Sequence, residues 1–172
     1  MCSSTDCPDA AKHPASLFEN VYKTTETPIG ALSPPTTNHQ FITMKIEHLA
    51  LNVPDPLNMA RWYVAHLGMK VKRRGMETPF VHFLADDSGT IMLELYGNPD
   101  APALDFPATQ PPALHLAFLS RDLVADVRRL TAAGATIVAD VHTLPTGDTF
   151  AMLRDPWGLP VQLVRRKAPM IE

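Results

Sequence analysis

The second half of this chain repeats the pattern of apolar segments and polar residues found in the first half. His48 and Glu94 are 46 residues apart, and His115 and Gln162 are 47 residues apart. Each of the four lies within a short apolar run of the kind that forms a strand. The two halves are offset by 67 residues at the histidines and by 68 at the other pair. We infer an internal duplication, and hence two similar modules.

Within each half, the periodicity predicts the order strand, helix, strand, strand, strand. In the first half, we expect strands at about 45–53, 69–74, 79–85 and 90–96, with a helix from Asp55-Pro56 to Gly68. In the second half, we expect strands at about 113–120, 135–140, 148–154 and 160–166, with a helix at about 121–133. The predicted modules are residues 44–96 and 113–172.

Two segments lack this periodicity. Residues 97–112 contain five prolines, which predict a linker between the modules without regular structure. Residues 1–43 are rich in Ser, Thr, Pro and Asn, which predicts a mostly disordered N-terminal extension. Met44 directly precedes the first predicted strand, so one hypothesis makes Met44 the true start of the protein.

Composition excludes several classes of function. A net charge of −3 over 172 residues gives no reason to expect nucleic-acid binding. No apolar run approaches the roughly 18–20 residues that span a bilayer, so we expect no membrane segment. Both cysteines, Cys2 and Cys7, lie in the N-terminal segment, which does not support a disulfide scaffold. We therefore expect a cytoplasmic protein whose partner is a small molecule.

The four repeated polar residues are types that bind metals. Two imidazoles, one carboxylate and one amide oxygen form a suitable ligand set for a divalent ion with open positions. Alternation along the strands places His48, Glu94, His115 and Gln162 opposite the apolar residues that face the helices. Gln162 is the weakest ligand, and in the alternative interpretation it bonds a neighbour while the metal has three protein ligands or none.

With these motifs in order, the chain resembles the vicinal oxygen chelate superfamily over roughly residues 45–166. That superfamily includes glyoxalase I, methylmalonyl-CoA epimerase, extradiol dioxygenases, fosfomycin-resistance enzymes and bleomycin-resistance proteins. The resemblance is carried by the His48 strand, Ala60-Arg61-Trp62-Tyr63 with Leu67-Gly68-Met69, Glu94, His115, and Asp155-Pro156-Trp157-Gly158 with Val161-Gln162-Leu163.

The resemblance implies an α+β fold of two tandem βαβββ modules, whose mixed sheets curl into a cup around one metal. It implies that His48, Glu94, His115 and Gln162 hold this divalent ion, which can be Zn, Ni, Mn or Fe. Many relatives are dimers, and some assemble the cup from modules of two chains. The resemblance therefore also implies a homodimer.

For function, the leading expectation is a metal-dependent lyase or isomerase of the glyoxalase type. Glu94 is its expected general base, because Gln162 cannot accept a proton. One alternative is an Fe(II)-dependent extradiol-type dioxygenase that uses His48, His115 and Glu94, although extradiol enzymes carry a carboxylate where this chain has Gln162. The other alternative is a non-catalytic protein that binds a drug or metabolite in the cup.

Three further residues are candidates for substrate binding. His82 shares a face of its strand with Leu84, where a core histidine is an equally good interpretation. His142 precedes the Pro145-Thr146-Gly147 loop, and the alternative there is an exposed loop histidine. Arg154 can bind an anionic group, although arginines at strand ends are usually solvated.

Overall fold

The computed structural model describes residues 44–170, which form two βαβββ modules. The first contains β1 (His48–Asn52), α1 (Pro56–Leu67), β2 (Lys70–Arg74), β3 (His82–Ala85) and β4 (Met92–Tyr96). The second contains β5 (Leu116–Leu119), α2 (Leu123–Ala132), β6 (Thr136–Thr143), β7 (Thr149–Arg154) and β8 (Pro160–Arg165). The predicted α+β class and the repeated order of elements are confirmed. The predictions for the N-terminal extension and for Met44 as the start concern residues 1–43, which lie outside the described residues.

Each module builds one four-stranded mixed sheet, in the order β1-β4-β3-β2 or β5-β8-β7-β6. The first strand is parallel to the last, and the remaining pairs are antiparallel. The register pairs Ala50 with Glu94 in one module and Ala117 with Gln162 in the other. The repeat seen in the sequence is therefore a repeat of strand register, and it fixes which residues share a face.

Both helices begin where an aspartate caps the first turn. Asp55 accepts a hydrogen bond from the backbone N–H of Asn58, and Asp122 accepts one from that of Ala125. Gly68 ends α1 in the left-handed conformation, with φ of 71°, which a glycine adopts without steric cost. Neither helix in residues 44–170 is long and apolar enough to cross a membrane.

Both sheets turn their helix-covered faces into one shared apolar core. That core includes Tyr63 of α1, Leu95 of β4, Leu130 of α2, Leu153 of β7 and Phe106 of the linker, all at most 1% exposed. Burying side chains of this size contributes about 1.5–3 kcal/mol each. The face opposite the helix is partly exposed in the first sheet, whereas in the second sheet it is covered by a smaller apolar cluster of its own.

Polar contacts also join the two modules. The Tyr63 hydroxyl donates to Oδ2 of Asp155 at 2.8 Å, and the indole of Trp62 donates to the carbonyl of Ala133 at 2.8 Å. Asp155 lies in the turn between β7 and β8, so α1 of the first module is attached to the hairpin of the second. These contacts hold the two helix layers together.

Candidate metal centre

The first candidate pair lies on the outer face of the β1–β4 sheet. Nε2 of His48 is 3.2 Å from Oε2 of Glu94, and the two side chains are 37% and 18% exposed. Two ligands of one zinc ion, each at about 2.1 Å from it, are separated by about 3.0–3.4 Å. The observed separation therefore fits two ligands of a single cation.

A second carboxylate lies on the other side of His48. Nδ1 of His48 contacts the carboxylate of Glu47, and the ring of Phe83 lies edge-on at 5.5 Å between centroids. The hydrogen bond that Nδ1 donates to Glu47 raises the pKa of His48; desolvation opposes this, and the charges of Glu47 and Glu94 add smaller increases. A carboxylate on the far ring nitrogen is also the arrangement that orients a metal-ligating histidine.

The second candidate pair occupies the equivalent place in the other sheet. His115 directly precedes β5, and its Nδ1 is 2.8 Å from the carbonyl oxygen of Pro111. A carbonyl only accepts, so Nδ1 carries the proton and Nε2 of the neutral ring is available as a ligand. Gln162 pairs with Ala117, two residues after His115, so the two side chains share a face.

The surroundings of Gln162 differ from those of Glu94. Gln162 is 2% exposed and pairs across the strands with Met152. Phe150 and Val164 form the next cross-strand pair on the same face, and both belong to an apolar cluster with Met152. The second half of the candidate centre is therefore neutral and apolar, whereas the first half is charged.

The two pairs do not form one ligand group within a single chain. Among residues 44–170, no group of three or more His, Cys, Asp or Glu side chains is placed to hold a metal ion. The reason is the shared core, because both sheets face it with their helix-covered sides. The four residues expected from the sequence to form one centre thus lie in two separate pairs, and their role as ligands stays a prediction.

A sequence model of the Glyoxalase/Bleomycin resistance protein/Dioxygenase superfamily matches residues 45–163. The chain belongs to this superfamily. No curated protein sequence matches the chain.

Solved structures show the same fold. A glyoxalase family protein from Enterococcus faecalis is 26% identical, with a TM-score of 0.54, covering 70% of this chain and 97% of that one. An antibiotic-binding protein from a Streptomyces species is 20% identical, with a TM-score of 0.57, covering 75% and 100%. A mutant of glyoxalase I from Zea mays is 21% identical, with a TM-score of 0.58, covering 72% and 46%. The superfamily thus contains both an enzyme and a binding protein of this shape.

His82 lies on the opposite side of the first sheet from Glu94. It pairs with Leu95 of the core, is 3% exposed, and its Nδ1 is 2.6 Å from the carbonyl oxygen of Phe80. Of the two interpretations drawn from the sequence, this position fits the core histidine. The structure does not bring His82 to the face that carries the candidate ligands of this superfamily member.

Arg154 is partly exposed, and its guanidinium group is bonded to backbone carbonyls. Its Nη1 donates to the carbonyls of Phe106 and Gly158 at 2.8 Å, and its Nη2 donates to that of Thr109 at 2.9 Å. Two of these three carbonyls belong to the proline-rich linker, whose backbone has no strand partner. Arg154 therefore holds the linker against the second sheet. The sequence signal for this role is that the carbonyls of a proline-rich linker lack strand partners and need other donors.

His142 is a strand residue, because β6 continues to Thr143 rather than ending near residue 140 as predicted. Its ring lies 3.9 Å from that of Phe150, between centroids, on the Gln162 face. Nδ1 is 2.8 Å from the carbonyl oxygen of Asp140. Nε2 is buried and has no hydrogen-bond partner within residues 44–170. Its role as a substrate contact stays a prediction.

Two residues beside the first pair were not among those predicted from the sequence. Alternation with His48 predicts that Glu47 faces the helix side, yet its carboxylate contacts the ring of His48. Phe83 pairs with Glu94 across β3 and β4 and covers one side of His48. Strict alternation with His82 was the signal that could have placed Phe83 on this face.

Proposed function

We propose that this superfamily member is a metal-dependent lyase or isomerase of the glyoxalase type. It would act on a small oxygenated substrate by moving a proton next to a carbonyl. The observation that supports this most directly is the 3.2 Å spacing between His48 and Glu94. His115 and Gln162 occupy the matching register of the second sheet.

His48, Glu94, His115 and Gln162 would hold the divalent ion, which when bound supplies a Lewis acid for the vicinal oxygens of the substrate. Glu94 has the only carboxylate among these four residues, and we assign it the role of general base. Its Oε atoms would accept the proton from the carbon next to the carbonyl and return it to the neighbouring atom. Its side chain is 18% exposed and is paired with Phe83, which limits the access of water.

We also propose that the complete site forms between two copies of the chain. In one chain the two pairs lie on separate sheets, on the faces away from the shared core, so a partner would bring its His115–Gln162 pair to the His48–Glu94 pair. The first strands of both modules are sheet edges, and they expose Leu49 by 43% and Leu119 by 80%. Such apolar edges are typical of strands covered by another chain.

The first experiment measures metal content by mass spectrometry on the full chain, purified without an affinity tag. Wild type should carry close to one divalent ion per chain, and Glu94→Gln and His115→Ala should each lose it. Glu77→Gln and His66→Gln are the matched controls, because both residues lie away from the candidate centre, and they should keep the ion. Retention of metal in both site variants would contradict the proposal.

A mixing experiment tests assembly across the dimer. One variant lacks the first half through His48→Ala and Glu94→Ala, and the other lacks the second through His115→Ala and Gln162→Ala. Refolding them together at equal amounts produces heterodimers that contain one intact site, or about one metal for every four chains. If each site lay within one chain, the mixture would bind no metal.

A second candidate function is ligand binding without catalysis. It is favoured by the apolar face around Met152 and Phe150, and by the likeness in fold to an antibiotic-binding protein. Failure of wild type to bind Zn, Ni, Mn or Fe(II) after their addition would favour this candidate. Bound iron with oxygen uptake on catechols would instead favour the dioxygenase.

A further inference from the structure

A cavity lies on the side of the first sheet opposite Glu94. It has a volume of about 240 Å³ and opens between α1 and β2. Its walls include Val64 of α1, Val71 of β2 and Met76, which are 40%, 46% and 59% exposed. This α1–β2 cavity is therefore an apolar recess open to solvent.

Cations surround this recess. Arg61 and Arg74 line it, and neither forms an ion pair within residues 44–170. Arg61 donates only to the neutral side-chain oxygen of Asn58, at 3.2 Å. Every residue of β2 is exposed, and four of its five are Lys or Arg. Arg61 and Arg74 therefore give the cavity wall two cationic groups that no carboxylate of residues 44–170 neutralises.

One buried polar side chain also lines the cavity. His82 is 3% exposed, and its Nδ1 is held by the carbonyl of Phe80 at 2.6 Å. Its Nε2 forms no hydrogen bond within residues 44–170. Phe80 has φ of 53°, a left-handed conformation that costs a residue with a side chain about 1–2 kcal/mol. The backbone that fixes the ring of His82 at the cavity wall is therefore strained.

We propose that the α1–β2 cavity binds a small amphipathic carboxylate. Its apolar body would lie against Val64, Val71 and Met76, and its carboxylate would be bound by Arg61 and Arg74. An apolar cavity of about 150 Å³ accommodates benzene, so this volume suits an aromatic ring with about three further heavy atoms. A carboxylate is the anion that the planar guanidinium group binds with two parallel hydrogen bonds.

This site is independent of the proposed metal centre. His82 and Phe83 are neighbours in β3 whose side chains alternate between the two faces of the sheet. Phe83 contacts His48 on one side, whereas His82 lines the cavity on the other. Binding in the α1–β2 cavity therefore does not depend on metal binding at His48 and Glu94.

The test is calorimetric titration of the full chain with phenylacetate, and with neutral phenylacetamide for comparison. For a ligand of about ten heavy atoms, the dissociation constant should be about 0.2 mM. Phenylacetamide should bind about tenfold more weakly, because it loses the charge of the carboxylate.

Matched variants locate the binding. Arg74→Gln should weaken phenylacetate binding about three- to tenfold. Arg73→Gln should leave it unchanged, because Arg73 pairs with Phe83 and lies on the other face. Val64→Phe fills the recess and should abolish binding, with thermal melting confirming that the variant folds. No binding of phenylacetate, equal binding of the neutral analogue, or equal effects of the two arginine variants would overturn the proposal.

Discussion

The two modules share strand order, helix caps and register, but their outer faces differ in polarity. In the first, Glu94 and Glu47 flank His48 on a partly exposed face. In the second, the equivalent position holds Gln162, buried beside Met152. Duplication has therefore preserved the places of four candidate ligands while leaving negative charge in one copy. If the four residues hold a divalent ion as proposed, a single carboxylate would leave it a net charge of +1.

The turns before the last strands of the two modules also differ. Here the second module contains the aspartate that is more buried and accepts more hydrogen bonds. Asp86 begins the turn of the first module, where it accepts only from Ser88 and from the backbone of Gly89. Asp155 begins the equivalent turn of the second module and is 3% exposed. It accepts from the hydroxyl of Tyr63 and from two backbone N–H groups of its own turn. The second turn is thus part of the contact between the modules.

The largest effect on stability should come from Asp155→Ala, with Asp86→Ala as its counterpart. Burial raises the pKa of Asp155 against the hydrogen bonds that it accepts, and burial and the Asp155 carboxylate raise that of Tyr63 well above its usual range. Removing Asp155 leaves buried donors unpaired, so unfolding by urea should show a loss of about 3–5 kcal/mol. Asp86→Ala should cost at most about 1 kcal/mol. Equal losses would contradict the assigned difference between the turns.

These turns also show what the sequence could predict. Asp155-Pro156-Trp157-Gly158 has the local composition of a turn, and β7 and β8 flank it. Its bond to Tyr63 joins residues 92 positions apart, which no periodicity reports. The order of elements along the chain, the cap of α1 at Asp55 and the faces of Glu94 and Gln162 depend on local pattern, and they were predictable for that reason.

The relation between the two halves of the candidate centre was not predictable. Alternation placed His48 and His115 on the faces away from the helices, but it does not say which way the two sheets turn. That orientation depends on how α1 and α2 pack in the shared core, including the bond from Trp62 to Ala133. Arg154 was misplaced for a similar reason, because its partners lie 45 and 48 residues away in the linker.

A direct way to remove the difference in charge is Gln162→Glu. The variant gives the second module the carboxylate that Glu94 supplies in the first, so metal affinity should rise by about tenfold or more. The double variant Glu94→Gln with Gln162→Glu moves the charge to the other module. It should recover most of the metal affinity that Glu94→Gln loses, as measured by competition with a chelating dye. Failure of the double variant to bind better than Glu94→Gln would show that Gln162 is not a ligand.

A smaller effect should follow from the carboxylate beside His48. Glu47→Gln removes the charge that holds Nδ1, and losing such a partner of a metal-ligating histidine costs about tenfold in metal affinity. The same loss lowers the pKa of His48 toward its usual value, which a two-dimensional NMR titration of the metal-free protein reports. Glu77→Gln serves as the control and should change neither measurement. In the second module a backbone carbonyl, that of Pro111, has this role, so no single side chain can be removed there.

The smallest expected effect concerns the helices. Counted from the two capping aspartates, Met59 of α1 corresponds to Asp126 of α2, and Met59 is completely buried. Burial of Asp126 favours its neutral form, but hydrogen bonds from Ser120 and Arg129, both at 2.7 Å, outweigh this and lower its pKa.

Because the folded pKa of Asp126 lies below the ordinary value of 3.8, its contribution to stability is complete above that value. The contribution is lost as pH falls through the folded pKa. Asp126→Asn should therefore cost no more than about 1 kcal/mol at pH 6, and the cost should shrink as unfolding is measured at successively lower pH. A cost that grows on acidification would mean that the carboxylate is stabilised in its neutral form. In that case burial, and not hydrogen bonding, would have the larger effect at Asp126, as it has at the equivalent residue of α1, Met59.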